Sequence, residues 1–179
     1  MATDCIYGLY KNGKLKTGFN GCDSYPSGFG KYVVCFIREN TIEELHELYD
    51  KIELYERKDE PNEKELQELR EKNIDVDFGR EEGFNWEMIS IVNRGFLNYY
   101  KYGVYYMVNY LDWLKRGVCW AYIINLDENA FEVYERNYHH KDEDTKCNKK
   151  KLCDDKYILK GTFDLKQIPR TWDNDVDVD

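Results

Sequence analysis

A stretch near the N-terminus combines residue types that can hold an anion. Residues 20–31 contain glycines, hydroxyl side chains, one carboxylate and one lysine. Asp23 or Ser24 can act as a helix N-cap, and Pro26 suits the first helical turn. Because a helix N-terminus presents free N–H groups and a positive dipole end, it suits phosphate or carboxylate. The candidate ligand-binding residues are Asp23, Ser24, Tyr25, Ser27, Gly28, Gly30 and Lys31.

The same stretch also fits a purely structural role. Its glycines match neither the GxGxxG nucleotide fingerprint nor the phosphate-binding loop that ends in Gly-Lys-Ser/Thr. A tight turn that packs a helix onto a sheet uses the same residue types. Both interpretations stay open at this point, a tight turn and a site for a small anionic ligand. The pattern indicates no cofactor.

Two other sets of residues have side chains suited to chemistry. Zinc-ligating residue types occur together at His139, His140, Cys147 and Cys153. Their spacing matches no established zinc motif, so solvated loop residues are the favoured interpretation and no metal is assigned. Cys5 lies on the first predicted strand, where an N-terminal hydrolase places its nucleophile. Four residues precede Cys5, so a small hydrolase is the least favoured function and no catalytic residue is assigned.

Charge favours a basic partner over a nucleic acid. The chain of 179 residues has a net charge of −9, whereas direct nucleic-acid binding relies on cations that neutralise phosphates. Carboxylates are dense in residues 43–68 and in the C-terminal residues 173–179. Such a surface can imitate a nucleic-acid backbone towards a basic protein. The alternative is a solvated helix face with a solubilising tail.

Hydropathy predicts a protein of the cytoplasm. No apolar run approaches the roughly 20 residues that a membrane-spanning helix needs. The N-terminal residues lack the basic region and apolar core of a signal peptide. We therefore expect no membrane association.

The elements predicted around these residues form an α+β fold. Asn12-Gly13 is a strong hairpin signal between the strand-like residues 5–10 and 15–19. Thr41 and Glu44 form a capping box at a helix start, and Asn62 and Asn85 are predicted to cap the next helices. Residues 86–116 suggest two helices or one kinked helix. Residues 51–56 fit either helix or strand. Further strands are predicted at residues 118–126, 130–136 and 157–163, and the first of these is expected to be central because both its faces are apolar.

The predicted organisation is a single domain with a tail. An N-terminal β-hairpin, a helical middle and C-terminal antiparallel strands form one sheet with helices packed on it. The domain spans residues 1–169. Residues 170–179 are predicted to be an acidic, disordered tail.

Three segments resemble a family of small bacteriophage and prophage proteins. They are residues 7–13 (YGLYKNG), residues 23–30 (DSYPSGFG) and residues 120–127 (WAYIINLD) with 131–134 (FEVY). The family has a histidine where this chain has Gly21, which favours structure or binding over catalysis there. The resemblance implies a non-catalytic accessory protein of phage–host conflict, acting in the host cytoplasm.

Two modes of action fit this resemblance. The protein can sequester a small nucleotide-type signal at residues 23–31, or it can inhibit a basic host defence protein through its acidic surface. Sequestration is the favoured prediction from sequence. Self-association stays open.

Overall fold

The computed structural model describes residues 3–77, 85–93, 97–139 and 156–176. The fold is α+β, as predicted. The strands are β1 (Cys5–Lys11), β2 (Lys14–Asn20), β3 (Glu53–Tyr55), β4 (Tyr106–Val108), β5 (Trp120–Asn125), β6 (Ala130–Arg136) and β7 (Tyr157–Asp164). The helices are α1 (Lys31–Arg38), α2 (Ile42–Lys51), α3 (Glu63–Glu71), α4 (Trp86–Val92), α5 (Trp113–Arg116) and α6 (Trp172–Val176), with a π-helical turn at Pro26–Gly30 and a 3-10 helix at Leu97–Tyr102.

The main sheet is mixed and has five strands in the order β2-β1-β5-β6-β7. β1 pairs parallel to β5, and the other neighbours pair antiparallel. β5 is the central strand of this sheet, and every one of its residues is buried. Its side chains are largely apolar on both faces, as a central strand requires. The predicted N-terminal hairpin and C-terminal strands therefore join one sheet.

The β1–β2 turn has the backbone that its residues predict. Asn12 and Gly13 have φ angles of 52° and 73°, the left-handed region that a two-residue hairpin turn requires. The Asp127 carboxylate accepts a hydrogen bond from the Asn12 N–H at 2.8 Å. The turn between β5 and β6 thus anchors the tip of the first hairpin.

A second sheet of two parallel strands, β3 and β4, was not predicted. Residues 51–56, which fitted either helix or strand, contain both: helix α2 ends at Lys51, and strand β3 begins at Glu53. Lys16 caps the end of α2 by donating to the carbonyls of Tyr49 and Ile52 at 2.7 Å each. The prediction of only helix in residues 86–116 is wrong, since β4 lies between the 3-10 helix and α5.

The predicted helix caps at Thr41, Asn62 and Asn85 are confirmed. Thr41 caps α2, with the Glu44 N–H donating to its hydroxyl at 3.1 Å. Asn62 caps α3 by the same reciprocal arrangement with Glu65. Asn85 accepts from the Met88 N–H at 3.0 Å at the start of α4. These caps depend only on residues within one turn, so the sequence suffices to predict them.

The predicted disordered tail is wrong for its described part. Residues 172–176 form α6, in which Trp172 is 2% exposed and Val176 is fully buried. The Trp172 ring packs edge-on against Phe131 of β6, with centroids 5.3 Å apart. The burial of these two apolar side chains stabilises the helix against the protein although aspartates lie beside them in the sequence. Residues 177–179 lie outside the described residues.

Candidate functional site

In residues 20–31, the pivot segment, the helical turn begins at a different residue from the one predicted. The helical turn Pro26–Gly30 follows Tyr25, and no side chain caps it. The assignment of Asp23 or Ser24 as N-cap is therefore wrong. Asp23 has a left-handed φ of 50°, and its carboxylate folds over Gly28, where a Cβ would lie 2.8 Å from Oδ1.

Three consecutive backbone donors of the pivot segment, at Gly28, Phe29 and Gly30, are bonded within the chain. The Gly28 and Gly30 N–H groups donate to the Tyr25 carbonyl at 3.0 and 3.1 Å. The Phe29 N–H donates to the Asp23 carbonyl at 2.9 Å. An anion bound by these three N–H groups would have to displace these bonds.

Ser24 belongs to a buried hydrogen-bond network. It is fully buried, its N–H donates to Thr3 Oγ1 at 3.1 Å, and its hydroxyl accepts from Asn20 Nδ2 at 2.8 Å. The Tyr122 hydroxyl donates to its carbonyl at 2.7 Å. Because each polar group of Ser24 has a partner, the residue fixes the pivot segment to the sheet.

Lys31 also has a partner within the chain. Its Nζ lies 2.9 Å from the Asp173 carboxylate, which is only 9% exposed. Arg38, at the other end of α1, donates to the carbonyls of Ile168 and Pro169 at 3.0 and 3.2 Å. The carboxylate beside the start of α1 is therefore the protein's own, and α1 holds the C-terminal segment in place.

The other predicted site residues divide between surface and interior. Tyr25 is 44% exposed, and Ser27 is also exposed, whereas Gly30 is buried. The half-buried rings of Phe29 and Tyr32 lie 5.5 Å apart, and Phe29 lies 5.3 Å from the buried Tyr7 ring. The pivot segment thus presents aromatic side chains at the surface beside a turn whose Gly28, Phe29 and Gly30 N–H groups have acceptors within the chain.

The alternative chemical sites gain no support from the described residues. Within them, no group of three or more His, Cys, Asp or Glu can hold a metal ion. His139 is exposed, and the proposed partners His140, Cys147 and Cys153 lie outside the described residues. Burial raises the pKa of the Cys5 thiol far above its usual range. A thiol held in its protonated form is a poor nucleophile.

The acidic segment, residues 43–68, carries most of the excess charge of the chain. It contains 11 Asp and Glu against four Lys and Arg, a net charge of −7 out of −9 for the whole protein. It forms α2, β3 and the first part of α3. Its exposed acidic residues are Glu43, Glu44, Glu47, Asp50, Glu53, Glu56, Asp59, Glu60 and Glu63.

The cations near the acidic segment neutralise little of this charge. Arg57 turns away from it and pairs with Asp112 and Glu87, at 3.0 and 3.6 Å. Lys11 binds Asp50 at 2.7 Å, and this pair lowers the pKa of the Asp50 carboxyl. Most of the remaining carboxylates face solvent.

Tyrosine hydroxyls hold three of the carboxylates. Tyr55 donates to Glu65 at 2.9 Å and to Glu53 at 3.1 Å, and Tyr106 donates to Glu68 at 2.7 Å. Burial, followed by these hydrogen bonds, raises the pKa of both tyrosines. Among the described residues, no Lys or Arg lies within ion-pair distance of these three glutamates. A hydroxyl donor leaves the carboxylate charge in place.

Sequence reasoning missed these tyrosine–glutamate contacts. The only local signal was the density of glutamate in the acidic segment. Tyr106 lies 38 residues from Glu68 in the chain, so no local spacing could connect them.

Among the described residues, no helix has both the length and the apolar character needed to cross a membrane.

Comparison with known proteins adds no further assignment. No protein-family model matches this chain, and no curated protein or solved structure matches it either.

Proposed function

We propose that this chain is a non-catalytic binding protein whose acidic segment binds a basic surface of a partner protein. The observation that carries the proposal is the concentration of charge, a net −7 in residues 43–68. The resemblance to small phage proteins makes a host defence protein the expected partner, in the host cytoplasm. Binding there would block a surface that otherwise holds nucleic acid.

The arrangement of charges supports this form of recognition. Carboxylates on α2, β3 and α3 face solvent, while Arg57 is drawn to acids outside the segment. A surface with a large excess of one charge speeds the encounter with an opposite charge and disfavours acidic partners. Inhibition of this kind requires no reacting group.

The test compares two charge reversals of equal size. Glu43→Lys with Glu60→Lys changes the acidic segment, whereas Glu128→Lys with Asp175→Lys changes exposed residues elsewhere. Partners captured from a host lysate are identified, purified and titrated against each variant at low and high salt. We expect the first variant alone to lose affinity, and double-stranded DNA to compete for the same partner. A salt-insensitive complex, or equal losses in both variants, would refute the proposal.

Sequestration of a nucleotide-type ligand at the pivot segment is the second candidate. It is favoured by the exposed Tyr25 ring and the half-buried Phe29 and Tyr32 rings, because nucleobases stack on aromatic side chains. The protein is incubated with cyclic nucleotides and ADP-ribose, and bound ligand is released by heat. Sequestration is indicated if the wild type releases intact ligand and the Tyr25→Ala variant no longer binds it. Chemically altered ligand indicates a hydrolase, and no depletion of ligand from solution favours a protein partner.

A further inference from the structure

Among the described residues, no backbone group pairs with the outer edge of β3, which lies in the middle of the acidic segment. Its inner edge bonds to β4, with the Glu53 N–H donating to the Tyr105 carbonyl and the Asn109 N–H donating to the Tyr55 carbonyl, both at 2.8 Å. In a parallel ladder, alternate residues of a strand bond to a given neighbour. The N–H and carbonyl of Leu54 therefore point away from β4.

Leu54 is also accessible. Its side chain is 41% exposed, and among the described residues no strand pairs with β3 other than β4. β4 in turn lies beside β2 of the main sheet, where the Tyr110 N–H donates to Thr17 Oγ1 at 3.3 Å. β3 is consequently the outermost strand on this side of the protein.

Two of the edge strands, β7 and β3, differ in how they are protected. β7, at the edge of the main sheet, carries Lys160 next to an irregularity in its pairing with β6. A lysine and a bulge are common devices against unwanted strand pairing. β3 has neither; it begins with the exposed Glu53 and is followed directly by the exposed Glu56. Such an edge repels an acidic strand and attracts a basic one.

We propose that the outer edge of β3 binds an extended, lysine- or arginine-rich segment of the partner by strand addition. This rests on the proposed function and specifies how the basic partner is recognised. The backbone of Leu54 supplies one donor and one acceptor to the added strand. Side chains alternate across a strand, so an apolar residue packs beside Leu54 and basic residues lie near Glu53. The recognised pattern alternates basic and apolar residues.

The probe is the peptide acetyl-Lys-Val-Lys-Val-Lys-Val-Lys-amide. Its matched control is the same peptide N-methylated at every residue, which keeps all charges and removes every backbone donor. Binding is followed by titration, and hydrogen exchange of the Leu54 amide is measured by NMR. We expect N-methylation to weaken binding by about tenfold or more. We also expect the peptide to slow exchange at Leu54, which exchanges faster than Glu53 in the free protein.

Two variants distinguish the contribution of the Leu54 backbone N–H to peptide binding from that of the Leu54 side chain. Leu54→Pro removes the outward N–H without removing a β3–β4 bond, and Leu54→Ala keeps it. We expect the proline variant to lose the preference for the unmethylated peptide and the alanine variant to retain it. If the proline variant does not fold, the N-methylated peptide and the exchange rate still decide the question.

The outcomes also distinguish this inference from the proposed function. Equal binding of both peptides, with unchanged exchange at Leu54, would overturn strand addition and leave the acidic surface as a binding site. No binding of either peptide would overturn strand addition. If the Glu43→Lys and Glu60→Lys variant then also retained its captured partner, the proposed function would fail as well.

Discussion

The pivot segment and the acidic segment both contain many polar groups and use them in opposite ways. In the pivot segment, Ser24 is fully buried, with partners for its N–H, carbonyl and hydroxyl. In the acidic segment, most carboxylates face solvent and few meet a cation. The difference teaches that hydrogen-bonding capacity in a sequence marks a binding site only where the fold leaves it unused.

Glycine has a packing role in the first of these regions. A Cβ on Gly30 would lie 2.8 Å from the Trp172 ring and 3.1 Å from Tyr122. Gly30 therefore allows α6 and β5 to close on the helical turn. A glycine that suits a phosphate loop suits close packing equally well.

The largest expected effect tests whether the pivot segment is closed by the C-terminus. We expect Trp172→Ala to lower the free energy of unfolding by about 3–5 kcal/mol, because a large buried ring is replaced by a cavity. Urea denaturation of this variant is compared with that of Asp175→Asn, an exposed change in the same helix. Equal stability of the two variants would mean that the C-terminal segment is not docked.

The second largest expected effect compares the stability lost on mutating the buried Ser24 network with that lost on mutating the acidic segment. Tyr122→Phe removes the donor to the Ser24 carbonyl, and we expect a loss of about 1–3 kcal/mol because a buried acceptor is left unpaired. Glu43→Lys on exposed α2 should change stability by no more than about 0.5 kcal/mol. Thermal or urea unfolding measures both variants, and a larger loss for the α2 variant would reverse the comparison.

A smaller effect tests the ion pair between α1 and α6. In a double-mutant cycle of Lys31→Gln and Asp173→Asn, we expect a coupling energy of about 0.5–1 kcal/mol, since Lys31 is largely exposed. The cycle is measured by urea denaturation. Zero coupling combined with gained phosphate affinity in Asp173→Asn would restore the pivot segment as an anion site.

The smallest effect is a pH dependence in the acidic segment. The hydrogen bond and charge of Lys11 lower the pKa of Asp50 below its ordinary value of 3.8. A lowered folded-state pKa contributes stability that is present above the unfolded-state value and is lost as the pH falls through the folded-state value. Unfolding curves between pH 5 and about pH 2 should therefore fall more steeply for the wild type than for Asp50→Asn. Parallel curves would exclude this contribution.

Prediction from sequence succeeded wherever the deciding contacts were local. The Asn12-Gly13 turn and the Thr41 and Asn62 caps each depend on residues within a few positions. The central position of β5 also followed from its apolar character on both faces. The α+β class followed from these elements together.

Prediction failed where distant residues decided the outcome. Ser24 looked like a helix cap, but Tyr122 and Thr3 hold it inside the protein. The aspartates of the C-terminus suggested disorder, but Trp172 found a place between Gly30 and Phe131. β3 and β4 are each three residues long, too short for a periodic pattern to identify them.

The sequence by itself determined the local turns and caps, the central strand and the uneven distribution of charge. Only the tertiary structure decided which polar groups remain available, because a hydrogen bond to a residue a hundred positions away leaves no trace in local spacing. For example, nothing in the sequence indicated that Lys31, a predicted ligand residue, pairs with Asp173. Likewise, the backbone of Leu54, in a stretch that fitted helix or strand equally, becomes an open strand edge.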